Sequence, residues 1–354
     1  MQLYNNLSAK ERAELIEKAG KDRLTISFYK YAKIGNTEIF RNHMFLAWNE
    51  LEVLGRIYVA HEGINAQLSI PADHFHQFKN HLDTITFLEN VRLNIAIEHD
   101  NFSFLKLKVK VRDKIVADGL NDNTFDVTNK GIHVDAEKFN KLIEDENTVL
   151  VDMRNHYESE IGHFKNAITP DVDTFRESLD IIEEDLKDHK EDKKLVMYCT
   201  GGIRCEKASA YYKHKGFKNV YQLDGGIINY VRQVNEKGLE NKFIGKNFVF
   251  DERRSERISD DVIAQCHQCG SPADLHTNCA NEACHLLFIQ CDDCKEKMNN
   301  CCSSTCMEIH QLPYEEQKAL RKGQGNSNDI FKKGRADHLP YKKDLRNIFE
   351  TLKK

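Results

Sequence analysis

The sequence predicts an α/β protein with a parallel-sheet domain in mid-chain, an α+β domain before it and a small cysteine-rich segment after it. Three observations carry this reading. Short apolar strands alternate with helical segments between residues 135 and 237, the rhythm of parallel β-α-β units. The residues before 113 instead pair strands around a tight turn and place helices between them. Nine of the eleven cysteines crowd between Cys266 and Cys306. At 354 residues, 40% hydrophobic and 30% charged, the chain is long enough for two or three domains, each with its own core. The expected boundaries are 1–120, 121–240 with a linker at its start, and 241–354.

In the first domain, 24–31 reads as a strand. Ile39, Phe40, Met44, Phe45, Trp48, Leu51 and Leu54 recur at helical spacing over 37–54, with Gly55 as the stop. Strands at 56–60 and 64–70 flank the turn His61-Glu62-Gly63, and a helix at 72–83 follows Pro71. The run 102–112, FSFLKLKVKVR, alternates apolar and basic residues as a half-buried strand does. This order suggests an α+β sandwich of ferredoxin or acylphosphatase type.

Residues 113–134 are polar and read as the linker. A helix at 135–144, a strand at 148–152 and a helix around 173–188 follow. The strand 194–198 runs into Cys199-Thr-Gly-Gly-Ile-Arg204 and a helix at 205–215. The strand 218–223 ends at Asp224-Gly225-Gly226, before a last helix. Sites in parallel sheets lie beyond the carboxyl ends of the strands, which is where Cys199 falls.

The residues from Cys199 to Arg204 have a chemistry of their own. Gly201 and Gly202, with Thr200 and Ile203, let successive amides turn toward one centre, backed by a helix N-terminus. Such a cradle favours thiolate over thiol, and the fixed fork of Arg204 suits an anion. Cys205 is either a second thiol with a lowered pKa, able to resolve a sulfur adduct, or an ordinary small helix residue.

The cysteine block contains two Cys-x2-Cys knuckles, and tight turns of this kind present two thiolates to one tetrahedral zinc. By analogy with interleaved zinc modules, Cys266, Cys269, Cys291 and Cys294 form one set. Cys279, Cys284 and Cys306 with Cys302 or Cys301 form the other, and His267, His276 and His285 are alternative ligands. Redox-active thiols are the competing reading.

The N-terminus has no apolar core or cleavage site of a signal peptide, and no apolar run is long enough to span a bilayer, so a cytoplasmic protein without a membrane partner is expected. In that compartment clustered thiols mean metal or thiol chemistry rather than disulfides. The net charge of −5 is too small to argue for nucleic acid by itself. It hides an uneven distribution: residues 311–354 carry eleven Lys and Arg against six Asp and Glu, and 322–329 reads as flexible.

Residues 145–237 resemble a rhodanese domain, through Asp152-Met-Arg154, Glu158, Gly162-His163, Asn166-Ala167, the Cys199 loop and Asp224-Gly225-Gly226. The resemblance implies a persulfide on Cys199, served by a persulfide sulfur donor, with Asp152 and Arg154 supporting the loop. A six-residue loop, with no His before the Cys, fits sulfur chemistry rather than phosphatase chemistry. The runs Ser27–Tyr31, His61–Ala66, Lys110–Gly119 and Phe243–Glu252 extend the likeness over nearly the whole chain to the bacterial rhodanese-domain tRNA uridine hydroxylases. That family implies a tRNA partner met at its anticodon loop, molecular oxygen as co-substrate and 5-hydroxyuridine at the wobble position as product. No flavin or nicotinamide fingerprint is present.

For RNA contact the residues offer Lys106, Lys108, Lys110 and Arg112 on one strand face, and Tyr29, Tyr31 and His61 as stacking groups. Alternating lysines also guard a sheet edge, and tyrosines near a sheet are often core. Two rival functions stand beside hydroxylation: a thiosulfate or persulfide sulfurtransferase, and a zinc-dependent RNA-binding adapter with a silent rhodanese fold.

Overall fold

Alternate burial along β1 (Arg23–Tyr31) gives that strand one face for a core and one for polar chemistry, and the N-terminal domain is built on this division. The computed structural model describes residues 9–322, 335 and 338–343. β1 follows the helix α1 (Ala9–Ala19) and precedes α2 (Thr37–Glu50), β2 (Leu54–Ala60), β3 (Gly63–Pro71), α3 (Phe75–Asp83), β4 (Asn94–Ile95) and β5 (Leu107–Val111). The sheet order is β4-β1-β3-β2-β5, antiparallel except where β5 joins β2 in parallel. Phe28, Trp48 and Phe78 fill the core between this sheet and the helices α2 and α3. The arrangement is the α+β class expected.

Two boundaries differ from the expectation. The helix α2 ends at Glu50 with Leu51 as its cap, and Glu52 turns the chain with φ 56°, so Leu54 already lies in β2. Gly55 serves that strand rather than the helix end, because a Cβ there would stand 2.5 Å from the carbonyl oxygen of Gln67. The second difference is that only 107–111 of the 102–112 run is strand. Ser103 is bonded to Thr25 at 2.6 Å and Phe104 is buried, which holds the preceding residues out of the ladder.

The middle domain contains β6 (Ile132–Val134), α4 (Ala136–Ile143), β7 (Thr148–Asp152), α5 (His156–Ser159), β8 (Gly162–Phe164), α6 (Phe175–Asp185), β9 (Lys194–Tyr198), α7 (Ile203–His214), β10 (Asn219–Leu223) and α8 (Gly226–Lys237). Four strands form an all-parallel sheet in the order β6-β10-β9-β7. β6 is a correction, since 132–134 reads as linker in sequence. Its first two residues are exposed at the sheet edge, so it lacks the apolar run of an inner strand.

The rest of the chain adds β11 (Phe243–Phe248), β12 (Ser255–Arg257), β13 (His276–Asn278), β14 (Leu287–Ile289), α9 (Asp292–Lys297), α10 (Ser304–Gln311) and α11 (Tyr314–Arg321). Contacts divide the chain into two compact units. The first takes the chain to Met153, then Phe175–Asn241 and Val249–Glu256; the second takes Arg154–Thr174, Lys242–Phe248 and the chain from Arg257. In the second unit, β8 pairs with β11 and β13 with β14, both antiparallel. The expected flexible stretch 322–329, apart from Lys322, and most of the basic tail lie outside the described residues. Among the described residues, no helix is long and apolar enough to cross a membrane.

Within the first unit an ionic network ties the turn at Glu62 to the helix α7. Lys207, 3% exposed, reaches Glu62 at 2.7 Å, Asp118 at 3.9 Å and also Asp122. Lys114 bonds Asp118 at 2.6 Å and Asp122 at 2.9 Å. Replacing Lys207 by Met leaves these carboxylates short of a cation in a largely dry site. Urea unfolding of Lys207→Met is expected to show a loss of roughly 2–4 kcal/mol. A loss below about 0.5 kcal/mol, typical of a surface substitution, would contradict the network's role.

Candidate active site

Cys199 follows the last residue of β9, and its loop is shaped by the turns around it. Gly202 has φ 98°, a conformation that glycine takes without strain, and caps α7. Its amide donates to Cys199 Sγ at 3.1 Å. Gly226 approaches the loop so closely that a Cβ would stand 2.5 Å from the Cys199 carbonyl oxygen. The first amides of α8 hold the loop, Ile227 N donating to the Cys199 carbonyl at 3.0 Å and Ile228 N to that of Thr200 at 3.3 Å.

Cys199 is 0% exposed. Burial pushes its thiol up. The hydrogen bond from Cys205, the charge of Arg204 and the amides of Cys205 and Arg204 outweigh burial and bring it down to about 6. Cys205 goes the other way: burial, its hydrogen bond to Cys199 and the neighbouring negative sulfur push it well up. Its surroundings thus hold Cys205 as a thiol, whose S–H supports the Cys199 thiolate. Arg204 is buried, lies over the Phe250 ring at 6.0 Å and reaches Thr200 Oγ1 at 3.5 Å.

Asp152 and Arg154 are both fully buried. Asp152 Oδ2 accepts from the Tyr198 hydroxyl at 2.8 Å and so braces the strand end that carries Cys199. In the second unit, Arg154 donates to the Gly162 carbonyl at 2.6 Å and lies over Phe243.

The tyrosines proposed as stacking groups meet the loop with their hydroxyls. Tyr29 donates to Glu206 at 3.1 Å and Tyr31 to the Ile203 carbonyl at 3.4 Å. The Tyr29 oxygen would stand 2.9 Å from a Cβ at Gly202. Lys130 and Lys207 Nζ lie over the Tyr31 ring at 5.6 and 5.3 Å. His61 is exposed and its Nδ1 pairs with the Ile34 carbonyl at 2.9 Å.

Strand register shows what lies beside these groups. One row across the sheet is Asn94, Ser27, Gln67, Arg56 and Lys108; the next is Tyr29, Asn65, Tyr58 and Lys110. Arg56 and Lys110 are exposed, as is Arg112, whose guanidinium lies over Tyr58. Lys108 is held below the usual lysine range by partial burial and by the charges of Lys106, Arg56 and Lys110.

Sequence reading missed several residues around the loop. Glu206 binds Lys130 at 2.6 Å, His133 at 2.9 Å and Tyr29. Burial pushes this carboxyl up, but bonds from His133 and Lys130 bring it down to about 2. Arg92 clamps Asp224 through two bonds of 2.7 and 2.6 Å. The Asp-Gly-Gly turn was visible as a motif, but nothing local marks Arg92 as its partner.

In the second unit the cysteines gather into two sets, Cys266, Cys269, Cys291 and Cys294, and Cys279, Cys284, Cys302 and Cys306, with each set's sulfurs within 4.8 Å of one another. Four soft donors at this spacing can hold one tetrahedral metal ion per set. Cys301 belongs to neither and its thiol donates to the Asn299 carbonyl.

A lowered thiol pKa makes a direct prediction. Modification of Cys199 by a small thiol reagent, followed by peptide mass spectrometry, is expected to accelerate as pH rises through about 6, where the sulfur loses its proton, and then level off. Arg204→Met should move that midpoint up toward an ordinary thiol. A wild-type midpoint already at the ordinary value would contradict the account.

Three domain profiles match the chain: an UPF0176 acylphosphatase like domain over 23–115, a Rhodanese-like domain over 135–233 and a Rhodanase C-terminal region over 244–307. A protein of Leptospira interrogans named tRNA uridine(34) hydroxylase is 53% identical over 333 residues, covering 94% of this chain and 90% of the relative. One of the same name from Photorhabdus laumondii is 54% identical over 334 residues, covering 94% and 95%. Identity at this level across all three domains places the chain in the tRNA uridine(34) hydroxylase family.

Proposed function

We propose that this chain is an enzyme that hydroxylates C5 of the wobble uridine of tRNA, with Cys199 as its essential residue. The observation that carries this is a reactive-type thiolate, brought to about 6, in a chain that matches hydroxylases along 94% of its length. Net insertion of one oxygen atom turns the C5–H bond into C5–OH. Molecular oxygen supplies that atom, and two electrons and two protons from a reductant convert the other into water. The thiolate is suited to adding at C6 of the ring, which makes C5 electron-rich. The amides around Sγ also suit a persulfide anion, so a persulfide donor is a second proposed partner. The reaction takes place in the cytoplasm, where tRNA is found.

The anticodon loop is the proposed binding partner. From Tyr29 at the Cys199 loop, the row through Asn65 and Tyr58 ends at Lys110 on the sheet edge, three strand spacings or roughly 14 Å away. Lys106, Lys108, Lys110, Arg112 and Arg56 form a basic edge whose mutual repulsion a phosphate would relieve. Zinc is the proposed metal, because two sets of four cysteine sulfurs match closed structural sites. Such sites staple a segment with little core and play no part in the chemistry.

A strain lacking the gene tests the reaction. Its tRNA nucleosides, measured by mass spectrometry, should lose 5-hydroxyuridine derivatives and regain them with the wild-type gene but not with Cys199→Ser. Unchanged nucleosides, once parallel routes are removed, would overturn the reading; rescue by Cys199→Ser would favour the RNA-binding adapter. A persulfide-transfer activity with no nucleoside change would favour the sulfurtransferase.

Elemental analysis of the purified protein tests the metal reading. About two zinc ions per chain are expected, about one in Cys279→Ser, and loss of folded C-terminal structure on strong chelation. Protein that is free of zinc yet folded would refute it.

A further inference from the structure

The two sets of four cysteine sulfurs in the second unit differ in how far solvent reaches them. In the set built on the two Cys-x2-Cys knuckles, only Cys266 is buried. Cys269 is exposed there, and Cys291 and Cys294 are half-buried. In the other set Cys279 and Cys302 are 2% and 3% exposed. Leu286, Phe288 and Leu339 pack around them, and the half-buried Cys284 and Cys306 lie against the same apolar cluster.

Polar groups close over the second set as well. Cys302 N donates to Cys279 Sγ at 3.4 Å, and Asn281 Nδ2 donates to Cys306 Sγ at 3.4 Å. Each bond occupies a side of the sulfur that a reagent would have to approach. The neighbour of Cys269 is instead the hydroxyl of the exposed Ser271, at 3.4 Å, and the sulfur stays open to water. Cys269 Sγ also stands 3.6 Å from Cys291 Sγ, so two accessible sulfurs already touch. Susceptibility of cysteine to oxidation follows thiolate character and exposure, and metal-bound sulfur is thiolate.

We infer that the knuckle set is the oxidation site of the C-terminal segment: a peroxide joins Cys269 to Cys291 and frees the metal held there, while the second set keeps its own. The inference rests on the proposed zinc and adds which of the two sites yields. The Cys269 thiolate attacks one peroxide oxygen, the O–O bond breaks, and the sulfur becomes a sulfenic acid. The other oxygen takes a proton from solvent and leaves as water. The Cys291 thiolate then attacks the oxidised sulfur and the S–S bond forms. The displaced hydroxide takes a second proton and leaves as a second water. Two thiolates thus supply the two electrons that reduce the peroxide, and zinc keeps its charge throughout. It departs because two of its four donors are gone. An enzyme that reduces oxygen meets this oxidant whenever two electrons reach oxygen without insertion into its substrate.

The test adds hydrogen peroxide to the full-length zinc-loaded protein, with a chromogenic chelator to read released zinc and peptide mass spectrometry to map the thiols. About one zinc ion per chain is expected to leave first, roughly tenfold faster than the second. The first disulfide should join Cys269 to Cys291, and a dithiol reductant with added zinc should restore the full metal content. In Cys269→Ser the fast phase should be missing. Should that variant fail to fold, the disulfide map of the wild type decides alone. Release of both ions at one rate would overturn the inference, as would a first disulfide within the second set or knuckle thiols left intact by peroxide. Protein purified without zinc would refute the metal reading, while the mapped disulfide still decides which set is oxidised. None of these readouts needs turnover, so a loss of the proposed hydroxylation would leave them standing.

Discussion

A negative charge on a fully buried sulfur is the constraint around which the first unit is built. Burial alone would keep Cys199 protonated and inert, so every stabilising group has to come from protein. The loop supplies amides of Gly202, Arg204 and Cys205, the guanidinium of Arg204 and the S–H of Cys205. These converge only because Gly202 adopts a left-handed backbone and Gly226 lets the start of α8 come within reach of the loop carbonyls. The Asp224–Arg92 clamp then fixes that turn from the N-terminal domain. Sequence, turn geometry and thiol chemistry are one problem at this place.

The same constraint explains why the N-terminal domain is more than an attachment. Tyr29 and Tyr31 reach Glu206 and the Ile203 carbonyl, and the Lys207 network joins α7 to Glu62 and Asp118. Glu206 stays ionised through Lys130 and His133, which makes it a firm acceptor for Tyr29. Tyr29 in turn keeps its proton, because burial and the nearby charges of Glu206 and Cys199 oppose its loss. A phenol therefore remains over the loop rather than a second anion, and the thiolate is spared a repulsion it could not bear.

What was legible in the sequence was what short segments encode. Cys199 to Arg204 announces itself because cradle and nucleophile are contiguous, and the knuckles do so because two ligands sit on one turn. The lysines of β5 were legible because strand alternation is local, but Arg56 was not, since it joins them only through the register of β2 with β5. Glu206, Arg92 and Glu256 were invisible for the same reason. Each acts on a partner from a distant part of the chain, and a lone Glu or Arg carries no mark of that. Tyr29 and Tyr31 were visible as aromatics, yet only the packed structure shows hydroxyls engaged with the loop and cations over the Tyr31 ring.

A thiolate closed over by another domain also limits what can reach it. Cys199 is 0% exposed, and the polar sheet face meets its loop through Tyr29 and Tyr31. That face runs from the loop to the basic edge at Lys110. On the proposed reading, phosphates held at the edge place a nucleotide chain along the sheet rows. The net charge of −5 is no obstacle to such a partner, because attraction is set by the charges within a Debye length of the contact, about 8 Å at physiological salt, and these are basic. On that reading the approach of a nucleic-acid partner follows from where these exposed cations stand.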